Sequence, residues 1–278
     1  MAIYNFIPTV WSETLYRELD KQYIGVANCN REFEGDIKNC GSVVKICGVG
    51  SINVNEYTAN CDMSMPQDLS DTVKELAINR ARYFNFQIDD VERAQSSPKV
   101  LEQAMSIAAS ALSDEADSYI YGLYSQSENI LSVQDVTADN ILDSIINARQ
   151  VLYENNVSDM SNVVIEVSPA IASLILKAKI LTSTDNSEAL EAGCLGSIGG
   201  CKVYVSNNIK LDLSGDYLCY KCFVRTKRAI AFAEQLSEIE AFRPEKRFAD
   251  AIKGLHLYGA KVVYPKELVV LDLGIRGV

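Results

Sequence analysis

Between Thr9 and Tyr23 the apolar residues Trp11, Leu15, Leu19 and Tyr23 recur at every fourth position of an otherwise polar segment, which predicts an amphipathic helix with one narrow stripe. A stripe so narrow suits docking onto a neighbouring surface; the alternative is an ordinary helix lying on its own domain. Residues 33–65 read as extended and rather polar, with strand candidates SVVKICG and SINVNEY separated by Gly48, Val49 and Gly50. This predicts a long hairpin with little core of its own. An isolated hairpin is marginal in water, so one of this length needs something else to pack against.

The pattern then changes to strict alternation. In LAINRARYFNFQID, Leu76, Ile78, Phe84, Phe86 and Ile88 share one face with Arg80 and Arg82, as in a half-buried strand with a kink near its middle. Ser97 and Pro98 supply an N-cap and a first helical residue, after which Leu101, Ala104, Met105, Ala108, Ala111, Leu112, Tyr119 and Leu123 keep helical spacing to about Tyr124. A helix of about 27 residues is about 40 Å long at 1.5 Å per residue, a spine and not a typical short helix. Beyond it come a helix from Thr137 to about Asn155, a strand NVVIEV, a helix opened by Ser168 and Pro169, and a strand CKVYVS from Cys201. From Tyr217 onward the chain is mostly strand-like. The expected fold class is α+β, its middle third a compact α/β layer.

Composition narrows the range of functions. The 278 residues are 48% hydrophobic and 23% charged, enough for a packed core in one elaborated domain or two small ones. With 37 acidic against 26 basic side chains the formal net charge is −11, so the surface as a whole repels polyphosphates and dedicated nucleic-acid binding is not expected. The start of the chain lacks a signal-peptide pattern, no apolar run approaches a membrane span, and no membrane partner is expected. Eight cysteines in a cytosolic setting read as reduced thiols that fill core and interfaces.

Candidate chemistry is sparse. Cys219 and Cys222 form a CxxC, but YLCYKCFV alternates like a strand instead of opening a helix, and only the irregularly spaced Cys194 and Cys201 would complete a zinc site. The single histidine, His256, lies in strand-like GLHLYGAKVVY and reads as structural. Gly193, Gly196, Gly199 and Gly200 precede a strand and lack the Lys-Ser/Thr ending of a phosphate loop, so tight turns are expected there. The acidic pairs Asp89–Asp90 and Asp114–Glu115 read as solvated faces, and the basic run Arg225, Lys227, Arg228 as a surface strand end, with contact to neighbouring chains or to nucleic acid as the alternative. No catalytic, cofactor-binding or metal-ligating residue is assigned. An alternative of another class is a cytosolic enzyme using the Cys219/Cys222 pair.

The order of elements, together with three segments, resembles the major capsid proteins of tailed bacteriophages, the Hong Kong 97 type. RARYFNFQIDDVERAQS looks like their junction of strand and spine helix, GSIGGCKVYVSNNI like their glycine turn, strand and Ser-Asn-Asn ending, and DAIKGLHLYGAKVVYPKELVVL like their closing strand pair. The resemblance implies a Hong Kong 97-like fold with an N-terminal arm at 1–35, an extended β-hairpin loop at 36–70, a peripheral domain with the long spine helix at 71–129 and an α/β axial domain at 130–225. Strands at 226–278 would return to both domains. It implies a self-assembling shell of hexamers and pentamers around double-stranded DNA, assembled in the host bacterial cytoplasm and ending in the virion.

The partners that follow are the chain itself, a portal, packaged DNA held non-specifically, and a separate scaffolding protein, because no extension of about a hundred residues, large enough for an internal scaffold domain, precedes the arm. No cofactor is implied. The expected assembly contacts are Trp11, Leu15, Leu19 and Tyr23 on the arm and Lys38 and Lys45 on the hairpin. An encapsulin-type nanocompartment, which shares the fold but encloses a protein cargo, is the nearest alternative.

Overall fold

The structure, a computed structural model, describes residues 15, 18–19, 23–33, 43–49, 65, 71–89, 100–157, 159–178, 194–245 and 248–276. Leu15, Glu18 and Leu19 are helical. Strand β1 (Val43–Val49) pairs antiparallel with β2 (Asp71–Ala77), Val43 opposite Ala77 and Val49 opposite Asp71. The chain bends at Ile78 and Asn79 into β3 (Arg80–Asp89), and later enters the long helix α1 (Val100–Tyr121). There follow β4 (Asn129–Val133), α2 (Ile141–Glu154), β5 (Val163–Val167), α3 (Pro169–Lys177), β6 (Cys194–Ile198), β7 (Cys201–Val205) and β8 (Leu211–Ser214). The last four strands are long: β9 (Tyr217–Thr226), β10 (Ile230–Phe242), β11 (Ala249–Val262) and β12 (Leu268–Arg276).

Two larger sheets result. One has the order β10-β11-β3 and is antiparallel throughout. The other has seven strands in the order β4-β12-β9-β5-β7-β6, with β8 on β9 beside β5; β4 runs parallel to β12 and β5 parallel to β7, and the remaining pairs are antiparallel. The mixed class is the expected α+β. Parallel pairs need crossover connections, and α2 and α3 supply helices of the kind such crossovers use.

Local chemistry accounts for the boundaries. Helix α1 buries Met105, Ala109, Leu112, Ala116 and Ile120, steps of four and three residues that keep one face turned to the core. Its 22 residues give about 33 Å of spine. The α-helix stops at Tyr121 and tightens into a 3-10 segment from Gly122 to Gln126, short of the expected Tyr124, because Gly122 has nothing to bury while Leu123 turns inward to 6% exposure. The second helix begins at Ile141 instead of Thr137. Asn140 explains this: its Oδ1 accepts from the Thr137 N–H at 2.8 Å and its Nδ2 donates to the Asp135 carbonyl at 3.0 Å, which competes with helical bonding. Ser168 caps α3 as expected, its Oγ accepting from the Ile171 N–H at 3.4 Å with Pro169 in the first turn. Gly199 and Gly200, both at positive φ, make the two-residue turn between β6 and β7 that the glycine run predicted.

The hairpin differs from expectation. Gly48 and Val49 do not turn the chain but sit within β1, opposite Thr72 and Asp71, so the partner of SVVKICG is the stretch ending in Leu76 and Ala77. The candidate strand SINVNEY lies outside the described residues. The predicted kink in the alternating strand is the break at Ile78 and Asn79, and it divides one sequence pattern between two sheets. The root of the ribbon has the packing partner it needed: Val44, Ile46, Leu76 and Ile78 form a cluster with Ala231, Ala233, Leu257 and Val263. Most of the remaining buried apolar residues of the helices and the seven-stranded sheet join one larger core that also takes in Phe232, Ile252, Tyr258, Ala260 and Val262.

At Gly259 the ribbon lies close against the sheet. A Cβ there would meet the backbone carbonyl oxygen of Ala77, which has no freedom to give way. Gly259→Ala is therefore expected to destabilise the subunit by about 1–3 kcal/mol, the usual cost of overpacking, read as a lower urea midpoint with an unchanged slope.

Candidate assembly site

Four charged side chains carried by the strands and the long helix, Arg225, Glu166, Asp117 and Glu234, converge on one short segment, the strap from Tyr23 to Arg31. The first is Arg225 near the end of β9, the largest of the fully buried side chains. Its Nε and Nη2 donate to Oε2 and Oε1 of Glu166 on β5, both at 2.9 Å, in the bidentate arrangement that suits a guanidinium and a carboxylate. Its Nη1 donates to the Asn28 carbonyl at 2.6 Å and its Nη2 also to the Gly25 carbonyl at 2.9 Å. The Asn28 amide donates to Glu166 Oε1 at 3.2 Å. Burial pulls against the Arg225 charge, but Glu166 outweighs it and holds the guanidinium pKa above its ordinary value.

Asp117 on α1 is the second anchor. Its Oδ2 accepts from the Ile24 N–H at 3.0 Å and its Oδ1 from the Val26 N–H at 2.9 Å, so a spine-helix carboxylate caps the start of the short 3-10 turn at Val26–Asn28. Burial pushes Asp117 up to about 6, against the backbone amides of Ile24, Val26 and Gly25, which pull it down. Glu234 on β10 is the third. Its Oε2 accepts from the Tyr23 hydroxyl at 2.6 Å and lies 2.9 Å from His256 Nε2, and its Oε1 accepts from Arg31 Nη2 at 2.6 Å. Burial works to raise Glu234, yet its bond to His256, with Tyr23 and Arg31, holds it below the ordinary range. Asn30 completes the attachment by strand addition: its N–H donates to Ile230 and its carbonyl accepts from Phe232, both at 2.9 Å, along the outer edge of β10.

The sequence-predicted contacts are distributed differently from expectation. Leu15 and Leu19 are fully buried and Tyr23 is 4% exposed, all three in the chain's own main core. These three positions of the stripe thus lie in their own domain, and their side chains cannot dock onto a neighbour because the subunit has already enclosed them. Trp11 and Lys38 lie outside the described residues. Lys45 is exposed on β1, opposite Glu75.

The other candidates are structural. Cys219 and Cys222 are both buried on β9, and three residues apart on a strand they face opposite sides of the sheet, which prevents joint ligation. Burial pushes the Cys222 thiol up to about 12. His256 is fully buried against Glu234 and Tyr258. Among the described residues no group of three or more His, Cys, Asp or Glu is placed to hold a metal ion, and no helix is long and apolar enough to cross a membrane. Asp114 accepts from the Asn208 amide at 2.9 Å, and Glu115 pairs with Arg82 at 3.0 Å. Arg225 corrects the reading of the basic run as a surface strand end: only Arg228 of the three is both well exposed and paired, to Glu267. Glu166 and Glu234 were not singled out, although a carboxylate inside NVVIEV or AIAFAEQL was itself the signal.

No family model matches the chain and no curated protein does. Solved structures do. A protein of Mycobacterium phage Che8 superposes with a TM-score of 0.70 over 90% of this chain and 91% of its own, at 29% identity. The capsid of Ralstonia phage GP4 gives 0.69 over 94% and 91%, at 11% identity. The SrpI encapsulin of Synechococcus elongatus gives 0.56 over 74% and 77%, at 10% identity.

The two carboxylates that hold the strap respond to pH in opposite directions. Asp117 is raised, so the folded subunit takes up a proton more readily than the unfolded chain, and its contribution is present at low pH and lost as pH rises through about 4 to 6. Glu234 is lowered, so its contribution is present above its ordinary 4.5 and lost as pH falls below it. Melting of the unassembled subunit is expected to show Asp117 adding about 2–3 kcal/mol between pH 7 and pH 4, at about 1.4 kcal/mol per pKa unit. Asp117→Asn should flatten that side of the profile, and Glu234→Gln the acid side.

Proposed function

We infer that this chain, which has the Hong Kong 97-type fold, is the major capsid subunit of a tailed bacteriophage and builds an icosahedral shell from copies of itself. The observation that carries the reading is the superposition over 90% of the chain on a phage protein at 29% identity, with a phage capsid matching over 94% of the chain. The role is structural. A shell subunit needs a rigid body, extended segments that reach beyond it and strand edges available to neighbours, and the described residues supply a two-sheet body and a separate two-stranded ribbon rooted on it.

Within that reading the seven-stranded sheet with α2 and α3 is the axial domain, drawn from 130–225 with β12 returning from 226–278. The three-stranded sheet with α1 is the peripheral domain. The ribbon is the base of the extended loop, and exposed Lys45 on it meets an adjacent subunit. The part of the 1–35 arm that clasps a neighbour lies before Leu15, since Leu15, Leu19 and the strap belong to the subunit's own core. Hexamers and pentamers, a scaffolding protein that guides closure, a portal and non-specifically held double-stranded DNA complete the set of partners, with assembly in the host cytoplasm. The charge of −11 suits a wall that confines DNA without gripping it. An encapsulin-type shell is less well supported, with a TM-score of 0.56 over 74% of the chain.

Particle mass by light scattering, with negative-stain microscopy, tests the reading: megadalton shells, or rings of five and six that close as concentration rises, are expected, whereas a monomer or dimer under all conditions refutes it. Removing residues 1–14 should leave a cooperatively melting subunit that fails to close shells. Removing 1–30 should instead unfold the subunit, because it deletes Leu15, Leu19 and most of the strap, and a fully buried leucine alone is worth about 1.5–3 kcal/mol.

A further inference from the structure

The two sheets are joined at a corner. Strand β9 ends at Thr226 and β10 begins at Ile230, while β11 ends at Val262 and β12 begins at Leu268. Since β9 pairs with β12 and β10 with β11, the four strands form one long antiparallel ribbon bent between the sheets. One side of the bend is fastened within the ribbon. The Val263 and Tyr264 N–H groups both donate to the Ala229 carbonyl, at 2.8 and 3.1 Å, and nearly buried Glu267 accepts from Thr226 Oγ1 at 2.6 Å and Arg228 Nε at 2.8 Å.

The strap fastens the other side. Its Gly25 and Asn28 carbonyls hold Arg225 just before the corner, and its Asn30 pairs with Ile230 and Phe232 just after it. Tyr23 and Arg31 reach further along β10 to Glu234. A segment bonded on both sides of a bend cannot follow a change in the bend angle without breaking bonds on one side; here the Arg225 bonds before the bend and the Tyr23 bond to Glu234 beyond it are charge-assisted and buried. A third attachment, to Asp117, ties the same segment to the spine helix.

We propose that the Tyr23–Arg31 strap is a brace across this corner, fixing the angle between the two sheets and so the curvature at which subunits meet. The curvature part rests on the shell reading above; the brace itself is a property of one subunit. Rings of five and six built from one chain demand a narrow set of subunit shapes, and a brace that restricts the corner selects them.

The test uses Gly25→Ala combined with Arg31→Gln in the full-length chain. A Cβ on Gly25 lies 3.1 Å from Asp117 Oδ1 and 3.2 Å from Tyr121 Cζ, tight enough to crowd the strap against its Asp117 anchor without removing any core side chain. Arg31→Gln releases its far end, and Arg31→Gln alone serves if the double variant does not melt cooperatively. Amide hydrogen exchange of the unassembled subunit and the diameters of assembled particles are the two readouts. Exchange over residues 226–232 is expected to rise about tenfold, with shells of more than one diameter or irregular outline. Exchange over 226–232 that stays at the parental rate while residues 24–31 exchange faster overturns the brace. A loosened corner with shells of one unchanged diameter overturns its control of curvature. If the parent chain forms no shells, the shell reading fails, and the exchange measurement still decides whether the strap braces the corner.

Discussion

The fold depends on how one buried guanidinium is solvated. Arg225 is fully buried at the point where the seven-stranded sheet gives way to the three-stranded one, and a cation there is tolerated only when its donors are met by the protein. Glu166 neutralises it but has geometry for only two of its N–H groups; the carbonyls of Gly25 and Asn28 take two more. The sheet alone is therefore an incomplete host, and the strap completes it. This makes the N-terminal segment a structural member of the body. It also explains why the amphipathic stripe of Leu15, Leu19 and Tyr23 turns inward, since the residues leading into the strap must reach the same interior.

Much of the architecture was legible because it rests on periodicity. The alternation in LAINRARYFNFQID, the helical spacing along the spine, the Ser-Pro helix start at 168–169 and the Gly-Gly turn at 199–200 each express a local rule; the last two are found where that rule put them, while the spine helix ends at Tyr121 and the alternation is divided between two strands. The hairpin register was not legible. Gly48 and Gly50 look like a turn, but a glycine within a strand satisfies the same local pattern, and only the pairing of β1 with β2 distinguishes the two. The destination of the stripe was undecidable for a similar reason: a narrow apolar face records that burial occurs and not which chain provides it.

The strap network was hidden from periodicity altogether, and a different signal pointed to it. Glu166, Arg225 and Glu234 each interrupt an apolar strand, and full burial of Glu166 and Arg225 and near-full burial of Glu234 require a partner for each. The partners of Arg225 include backbone carbonyls nearly two hundred positions away in sequence, so no local window shows them. A charged residue inside a β-run is thus worth reading as half of a long-range contact before it is read as a strand end, the error made for Arg225.

Buried ionic networks seldom stabilise a fold more than apolar packing of the same volume does; what they contribute is a requirement for one arrangement. In an enzyme that arrangement positions reactive groups. Here Tyr23, Arg31, Asp117, Glu166, Arg225, Glu234 and His256 are tied to one another and to backbone, with the Cys219 and Cys222 thiols facing opposite sides of their strand. Such a network specifies geometry between bodies: spine helix to strap, strap to both sheets, sheet to sheet. A shell subunit needs that kind of specificity, because small angular errors repeated around a closed surface prevent closure, whereas modest losses of stability are recovered when neighbours associate. The polar interior is therefore the part of the sequence that follows most directly from the demand to assemble.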